Sequence, residues 1–206
     1  MSEVPISRLA AILIILMVLG GCARSQATNY YILHSLQNQQ LERRHAGTER
    51  DPVIGIGPVK IPEYLNRPQM VTRVSYSSLQ FAEFARWAEP LDKNLMRVLA
   101  DNLSILVPSE HVLVFPWQQS MPVQYQITIE IIHLEKAPDE KIMLDACWII
   151  LGNGGDNLMM AKRSRLTVPV ESAGFEGIAS AESRAVEELS REIAAAVSSL
   201  PREEGR

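Results

Sequence analysis

No stretch of this chain is apolar for long enough to cross a bilayer as a helix. The longest run, Leu9 to Leu19, is eleven residues, whereas a span needs about 20. Lysine and arginine form no block, and a formal charge of −4 argues against nucleic acid as a partner. Histidine is scarce: His34, His45, His111 and His133 stand at no metal-ligand spacing from one another or from a cysteine, so no metal is expected. There is no G-x-S-x-G elbow. The stretch Gly152 to Gly155 lacks the Gly-Lys-Ser/Thr ending of a phosphate loop and reads as a hairpin turn. No catalytic constellation and no cofactor motif emerges, and neither an internal repeat nor a low-complexity tract is present.

The short apolar run has a different use. Met1 to Arg8 supplies one cation, Arg8, beside the free amine, with Glu3 opposing it. The eleven apolar residues follow, then Leu19-Gly20-Gly21-Cys22. A short charged segment and a brief apolar core make an export signal rather than a membrane span. The last four residues resemble the lipobox of bacterial lipoproteins, in which a dedicated peptidase cuts just before the cysteine. A thiolate can be alkylated by a diacylglyceryl donor, and no other side chain there would serve. Residues 1–21 are therefore expected to be a signal peptide and Cys22 the lipid attachment site. One acyl chain holds loosely and two or more hold firmly, at about 0.8 kcal/mol per buried CH₂. Ala23 follows, not the aspartate that commonly retains such proteins at the inner membrane, so the expected location is the outer membrane, facing the periplasm. Once Cys22 is acylated, Cys147 is the remaining thiol, and an intramolecular disulfide is excluded.

Residues 22–29 form a polar, lipidated tether. Tyr30 to Leu36 is rich in aromatic and branched residues and predicts the first strand. Gln37 to Asp51 is polar and charged, a loop. Val53 to Lys60 predicts a strand, Ile61 to Pro68 a proline-bracketed turn, and Gln69 to Tyr76 another strand. Leu91, Leu95, Val98, Leu99 and Leu103, with Trp87 ahead of them, recur at helical spacing; proline suits the start of that helix near Pro90. Val112 to Phe115 is a short strand. Val123 to Glu135 alternates strongly, Tyr125, Ile127, Ile129 and Ile131 against Gln124, Gln126, Thr128 and Glu130. Lys141 to Leu151 and Asn157 to Val168 complete an antiparallel meander around a turn at Asn153 to Asp156. Ile178 to Leu200 is a long amphipathic helix, and residues 201–206 a disordered tail. The fold class expected is α+β: a mixed, mostly antiparallel sheet with two main helices packed on one face.

With chemistry lacking, recognition surface is what remains. Tyr64, Leu65, Arg67 and Pro68 lie in an irregular segment between strands, where binding residues concentrate. Trp87 and Glu89 flank a helix start, although a core position is the favoured reading for Trp87 itself. Trp117 ends the aromatic-proline element Phe115-Pro116-Trp117. These seven are the candidates for partner contact, since Trp, Tyr and Arg are enriched at interface hot spots.

Several motifs together resemble a known family. They are Tyr30-Tyr31-x-Leu33; Ile54-Gly55-Ile56-Gly57-Pro58-Val59 with Ile61-Pro62-x-Tyr64-Leu65-Asn66-Arg67-Pro68-Gln69; Arg86-Trp87-Ala88-Glu89-Pro90-Leu91; and Tyr125-x-Ile127-x-Ile129. The chain looks like an ABC-type transport auxiliary lipoprotein, a family whose best-described branch is paraquat-inducible protein C (PqiC-like). The resemblance runs from Cys22 to about Leu200, so residues 30–200 would be one such domain. It implies a non-enzymatic outer-membrane component of an intermembrane lipid transport system. The partner implied is a mammalian cell entry (MCE) domain protein working with an ABC transporter, and a ring-forming homo-oligomer is implied as well. Two other readings stand beside it: a structural or assembly lipoprotein of another envelope complex, and a periplasmic hydrolase for which no motif speaks.

Overall fold

The structure is a computed structural model that describes residues 26–36, 52–107, 109, 111–118, 121 and 123–200. The expected signal peptide, Cys22, the 37–51 loop and the terminal tail lie outside the described residues. Among the described residues, eight strands and two long helices follow in chain order. The strands are β1 (Asn29–Tyr31), β2 (Val53–Lys60), β3 (Gln69–Ser75), β4 (Ser78–Trp87), β5 (His111–Val114), β6 (Tyr125–Lys136), β7 (Lys141–Gly152) and β8 (Asn157–Pro169). Helix α1 (Leu91–Leu106) lies between β4 and β5, and α2 (Gly174–Ser198) closes the domain.

One eight-stranded sheet holds all the strands, ordered β1-β4-β3-β6-β2-β5 with β7 and β8 continuing from the other edge of β6. Three pairings are antiparallel, β3–β4, β6–β7 and β7–β8, and the last two are the longest in the sheet. The parallel contacts β1–β4, β2–β5, β2–β6 and β3–β6 are short. This is the expected α+β arrangement. Strand β6 is its axis, because β7 pairs along its whole length while β2 and β3 share its opposite edge.

Alternation in β6 does what its pattern dictates. Tyr125, Ile127, Ile129 and Ile131 are buried, and Glu130 is exposed. Opposite them, Leu144, Ala146, Trp148 and Ile150 of β7 are buried too. Helix α1 contributes Leu95, Val98, Leu99 and Leu103, and α2 contributes Ala185, Val186, Leu189 and Ile193, to one continuous core. Burying a side chain of this size contributes about 1.5–3 kcal/mol. The indole N–H of Trp148 donates to Ser164 Oγ at 2.9 Å, so the largest core residue leaves no polar atom unpaired.

Two expectations need correction. Strand β1 ends at Tyr31, and Ile32 to Leu36 leaves the sheet instead of extending it. Its backbone is met by side chains of the helices. Asn94 Oδ1 of α1 accepts from the Leu33 amide at 2.7 Å, and Asn102 Oδ1 accepts from the Leu36 amide at 2.7 Å. Ser183 Oγ of α2 accepts from the His34 amide at 3.2 Å, and Asn102 Nδ2 donates across to Ser190 Oγ of α2 at 3.0 Å. These residues form a strap lying against both helices, with Leu33 fully buried beneath it. The second correction is β4, which the sequence pattern did not reveal. Trp87 accordingly ends a strand rather than leading a helix.

Candidate functional site

The polar centre of the domain sits where the sheet is incomplete. Strand β2 accompanies β6 as far as Glu130, and β3 joins it only at Lys136. Between them, β6 bulges near Ile132 and has no strand on that edge. The turn Ile61 to Pro68 fills the opening. It is wound tightly, with the Leu65 amide donating to the Pro62 carbonyl at 2.9 Å and the Arg67 amide to the Leu65 carbonyl at 2.8 Å. Leu65 drives into the core, while Tyr64 reaches β6.

Tyr64 Oη donates to Glu135 Oε2 at 2.9 Å and lies 3.1 Å from His133 Nδ1 and 3.2 Å from the Ile132 carbonyl. Glu135 is wholly buried yet fully engaged. Its Oε1 receives Arg73 Nε at 2.8 Å and Nη2 at 2.7 Å, and its Oε2 receives the Leu134 amide at 3.0 Å. Arg73 continues outward, donating from Nη1 to the Tyr76 carbonyl at 3.1 Å. Burial, then the charge and hydrogen bond of Glu135, push the Tyr64 phenol well above its ordinary range, so it stays protonated. The cluster therefore holds its protons in place and braces a strand edge.

Glu182 of α2 stands apart. It is buried, its Oε2 has no hydrogen-bond partner among the described residues, and burial with the nearby charge of Glu135 raises its carboxyl well above the ordinary value. It is held as the neutral acid.

The seven sequence candidates fall into two places. Tyr64, Leu65, Arg67, Pro68 and Trp87 come together: the Pro68 carbonyl accepts from the Trp87 amide at 2.7 Å, and the Arg67 guanidinium lies 4.2 Å over the Phe81 ring. Leu65 and Trp87 are buried, whereas Arg67 and Pro68 are exposed. Glu89 is nearby in sequence and pairs with Arg97 of α1 at 2.6 Å. Trp117 follows β5 in the chain and lies over β2, edge-on to Phe115 at 5.4 Å. Its ring covers Gly55, where an added Cβ would meet the indole at 2.8 Å, so β2 needs glycine there. Cys22 is outside the described residues.

The sequence reading missed Arg73, Glu135 and Glu182. The detectable signal was Glu182 itself, a charged residue between Ala181 and Ala185 on the apolar stripe of α2. On the face of the sheet turned from the helices, a groove of about 250 Å³ is lined by Pro58, Lys60, Thr128, Glu130, Cys147 and Ile149. Cys147 is a half-buried free thiol in its wall. Beside it, hydrogen bonds from Arg163 hold the Asp145 carboxyl below its ordinary range, Arg165 adding to them. Among the described residues no group of histidine, cysteine, aspartate and glutamate is arranged to hold a metal ion, and no helix is long and apolar enough to cross a membrane.

The geometry so far defines an α+β domain whose single sheet is backed by two helices and whose buried charges serve to lock a turn. The chain belongs to the family described as ABC-type transport auxiliary lipoprotein component, which it matches over residues 34–194. The motifs around Ile54 to Gln69 and Arg86 to Leu91 lie within that span, and the auxiliary role in transport and an envelope membrane association come with it. Among similar solved structures is an uncharacterized protein at 18% identity and TM-score 0.69, with 84% of this chain and 99% of that one covered. Another is a Xanthomonas campestris protein of the DUF330 family, at 12% identity and TM-score 0.64, covering 82% of this chain and 94% of its own. At such identities the likeness is one of fold. No curated protein matches the sequence.

Proposed function

We propose that the protein is an outer-membrane lipoprotein, anchored through Cys22 and facing the periplasm, that docks an MCE-type ABC intermembrane lipid transport system without catalysing a reaction. The observation that carries this reading is the family match over residues 34–194, beginning twelve positions after a lipobox-like stretch at Leu19 to Cys22. Residues 1–21 are then the signal, 22–29 the lipidated tether, and 30–200 the working domain. The partner is an MCE-domain protein. Its contact falls on exposed Arg67 and Pro68, with Tyr64 and Leu65 holding their turn from beneath, and Trp87 and Glu89 fixing the start of α1. Trp117 marks a second contact past β5. Self-association into a ring has support in the resemblance and in β5 and β8 being outer strands of the sheet among the described residues.

Crosslinking followed by capture of the tagged protein from native membranes tests the role. An MCE-domain protein in the captured material is the expected result, and its absence in a crosslinked sample that retains the bait overturns it. Cys22→Ser tests the anchor: the variant is expected to keep its signal and to be lost from the outer-membrane fraction, and retention at the outer membrane counts against lipidation.

A further inference from the structure

We infer that the β3–β4 hairpin tip is a second membrane contact, placing Tyr76 in the phospholipid headgroup layer beside the lipid anchor. The inference rests on the proposal that Cys22 carries the anchor, and it goes further by stating which end of the domain meets the bilayer.

The direction of the tether is set by β1. That strand runs parallel to β4, with Asn29 opposite Ala85 and Tyr31 opposite Trp87. The chain therefore enters β1 from the side on which β4 begins, which is the hairpin tip. Six residues lie between Cys22 and Asn29, seven chain steps with a reach of at most about 25 Å. Strand β4 covers the same seven steps from Ser78 to Ala85, about 23 Å of strand. A tether of this length, followed in the direction β1 gives it, reaches the level of the tip and little beyond. The anchored domain is thereby presented to the bilayer tip first.

The tip has the composition for that contact. Val74-Ser75-Tyr76-Ser77-Ser78-Leu79-Gln80 carries no charge. Tyr76 is 99% exposed and Val74 55%. A large aromatic on a closed turn of serines gains nothing in water, whereas an amphipathic ring beside apolar and hydroxyl groups is what the membrane interface accepts. The neighbouring turn between β6 and β7, by contrast, carries Asp139 and Glu140, both exposed and paired with lysines. The tip is also rigid, because Arg73 ties the Tyr76 carbonyl to the buried Glu135. Little backbone freedom at the turn remains to be lost on contact.

The test uses the full lipidated protein, extracted from membranes and returned to vesicles of phosphatidylethanolamine and phosphatidylglycerol. In a Cys147→Ser background, Tyr76→Cys and Leu158→Cys each receive an environment-sensitive fluorophore. Leu158 is a fair control, being 60% exposed and beside the β7–β8 turn at the far end of β6. The expected result is a blue-shifted probe at 76 that loses most of its emission to lipid-borne nitroxide, with a water-like probe at 158. A water-like probe at 76 on protein whose intact mass shows acylated Cys22 overturns the inference and leaves the anchor standing. Shielding at 76 only when envelope proteins are added also overturns it, since the tip would then face a protein. An unacylated thiol at 22 brings down the anchor and this inference with it.

Discussion

Two stretches of backbone lie inside this domain yet outside its ladder of strands, and they are satisfied by opposite means. The strap after β1 rests on neutral groups, the amides of Asn94 and Asn102 and the hydroxyls of Ser183 and Ser190. The open edge of β6 is closed by charge, through Glu135, Arg73 and the phenol of Tyr64. Neutral pairs each return a modest net gain and tolerate loss one at a time. A buried ion pair is different: its members are costly to desolvate, and each is tolerable only while the other is present. The strap is thus a graded contact and the β6 edge a conditional one.

The largest test of that contrast is Glu135→Ala. It leaves Arg73 beside an apolar wall and frees the Tyr64 hydroxyl, and denaturant unfolding should show a loss of about 3–5 kcal/mol. Asn102→Ala, which orphans the Leu36 amide and removes one of the two hydrogen bonds of the Ser190 hydroxyl, should cost about 2 kcal/mol in the same measurement. An equal loss at both sites would erase the distinction. Tyr64→Phe removes one hydrogen bond to a charged group and keeps the ring, for an expected loss of about 1.5 kcal/mol. Should Arg73→Met with Glu135→Leu prove more stable than either single change by far, the conditional character of the edge is established.

Glu182 lies between the two regions, next to Ser183 of the strap and within the field of Glu135. Its raised pKa has a definite sign. In the unfolded chain it ionises near pH 4.3, whereas the folded protein keeps it neutral, so folding is opposed increasingly as pH rises above that value. Glu182→Gln should therefore stabilise the protein by about 1 kcal/mol at pH 7, the buried amide offsetting part of the gain. Thermal unfolding at pH 4 should show no such advantage; a destabilised variant at pH 7 would mean the carboxyl has a partner.

How much of this was legible depended on the range of the contact. The β6–β7–β8 meander and both helices were readable because their burial repeats locally, at two residues or at three and four. Strand β4 was not, since its buried positions include Ala82 and Ala85 while Phe81 and Glu83 point outward; small inner and large outer residues invert the usual signal. The strap read as strand because Tyr-Tyr-Ile-Leu is strand-like, yet its backbone partners on the helices lie 61 to 149 positions away. Asn94 and Asn102, eight apart on an apolar helix face, were the clue. The Tyr64 turn was singled out for its irregularity, but its partner Glu135 is 71 residues distant and nothing local announces the pair.

The parallel register of β1 against β4 has a mechanical consequence. A pull on an N-terminal anchor acts along the strand axis, so the β1 ladder is loaded in shear, all its bonds together, rather than peeled open one by one. Beyond it the strap hands the remaining load to both helices at Asn94, Ser183 and Asn102. Three residues of sheet would make a poor mooring by themselves; joined in series with the strap, they let a small domain bear tension between a membrane and whatever holds its other end.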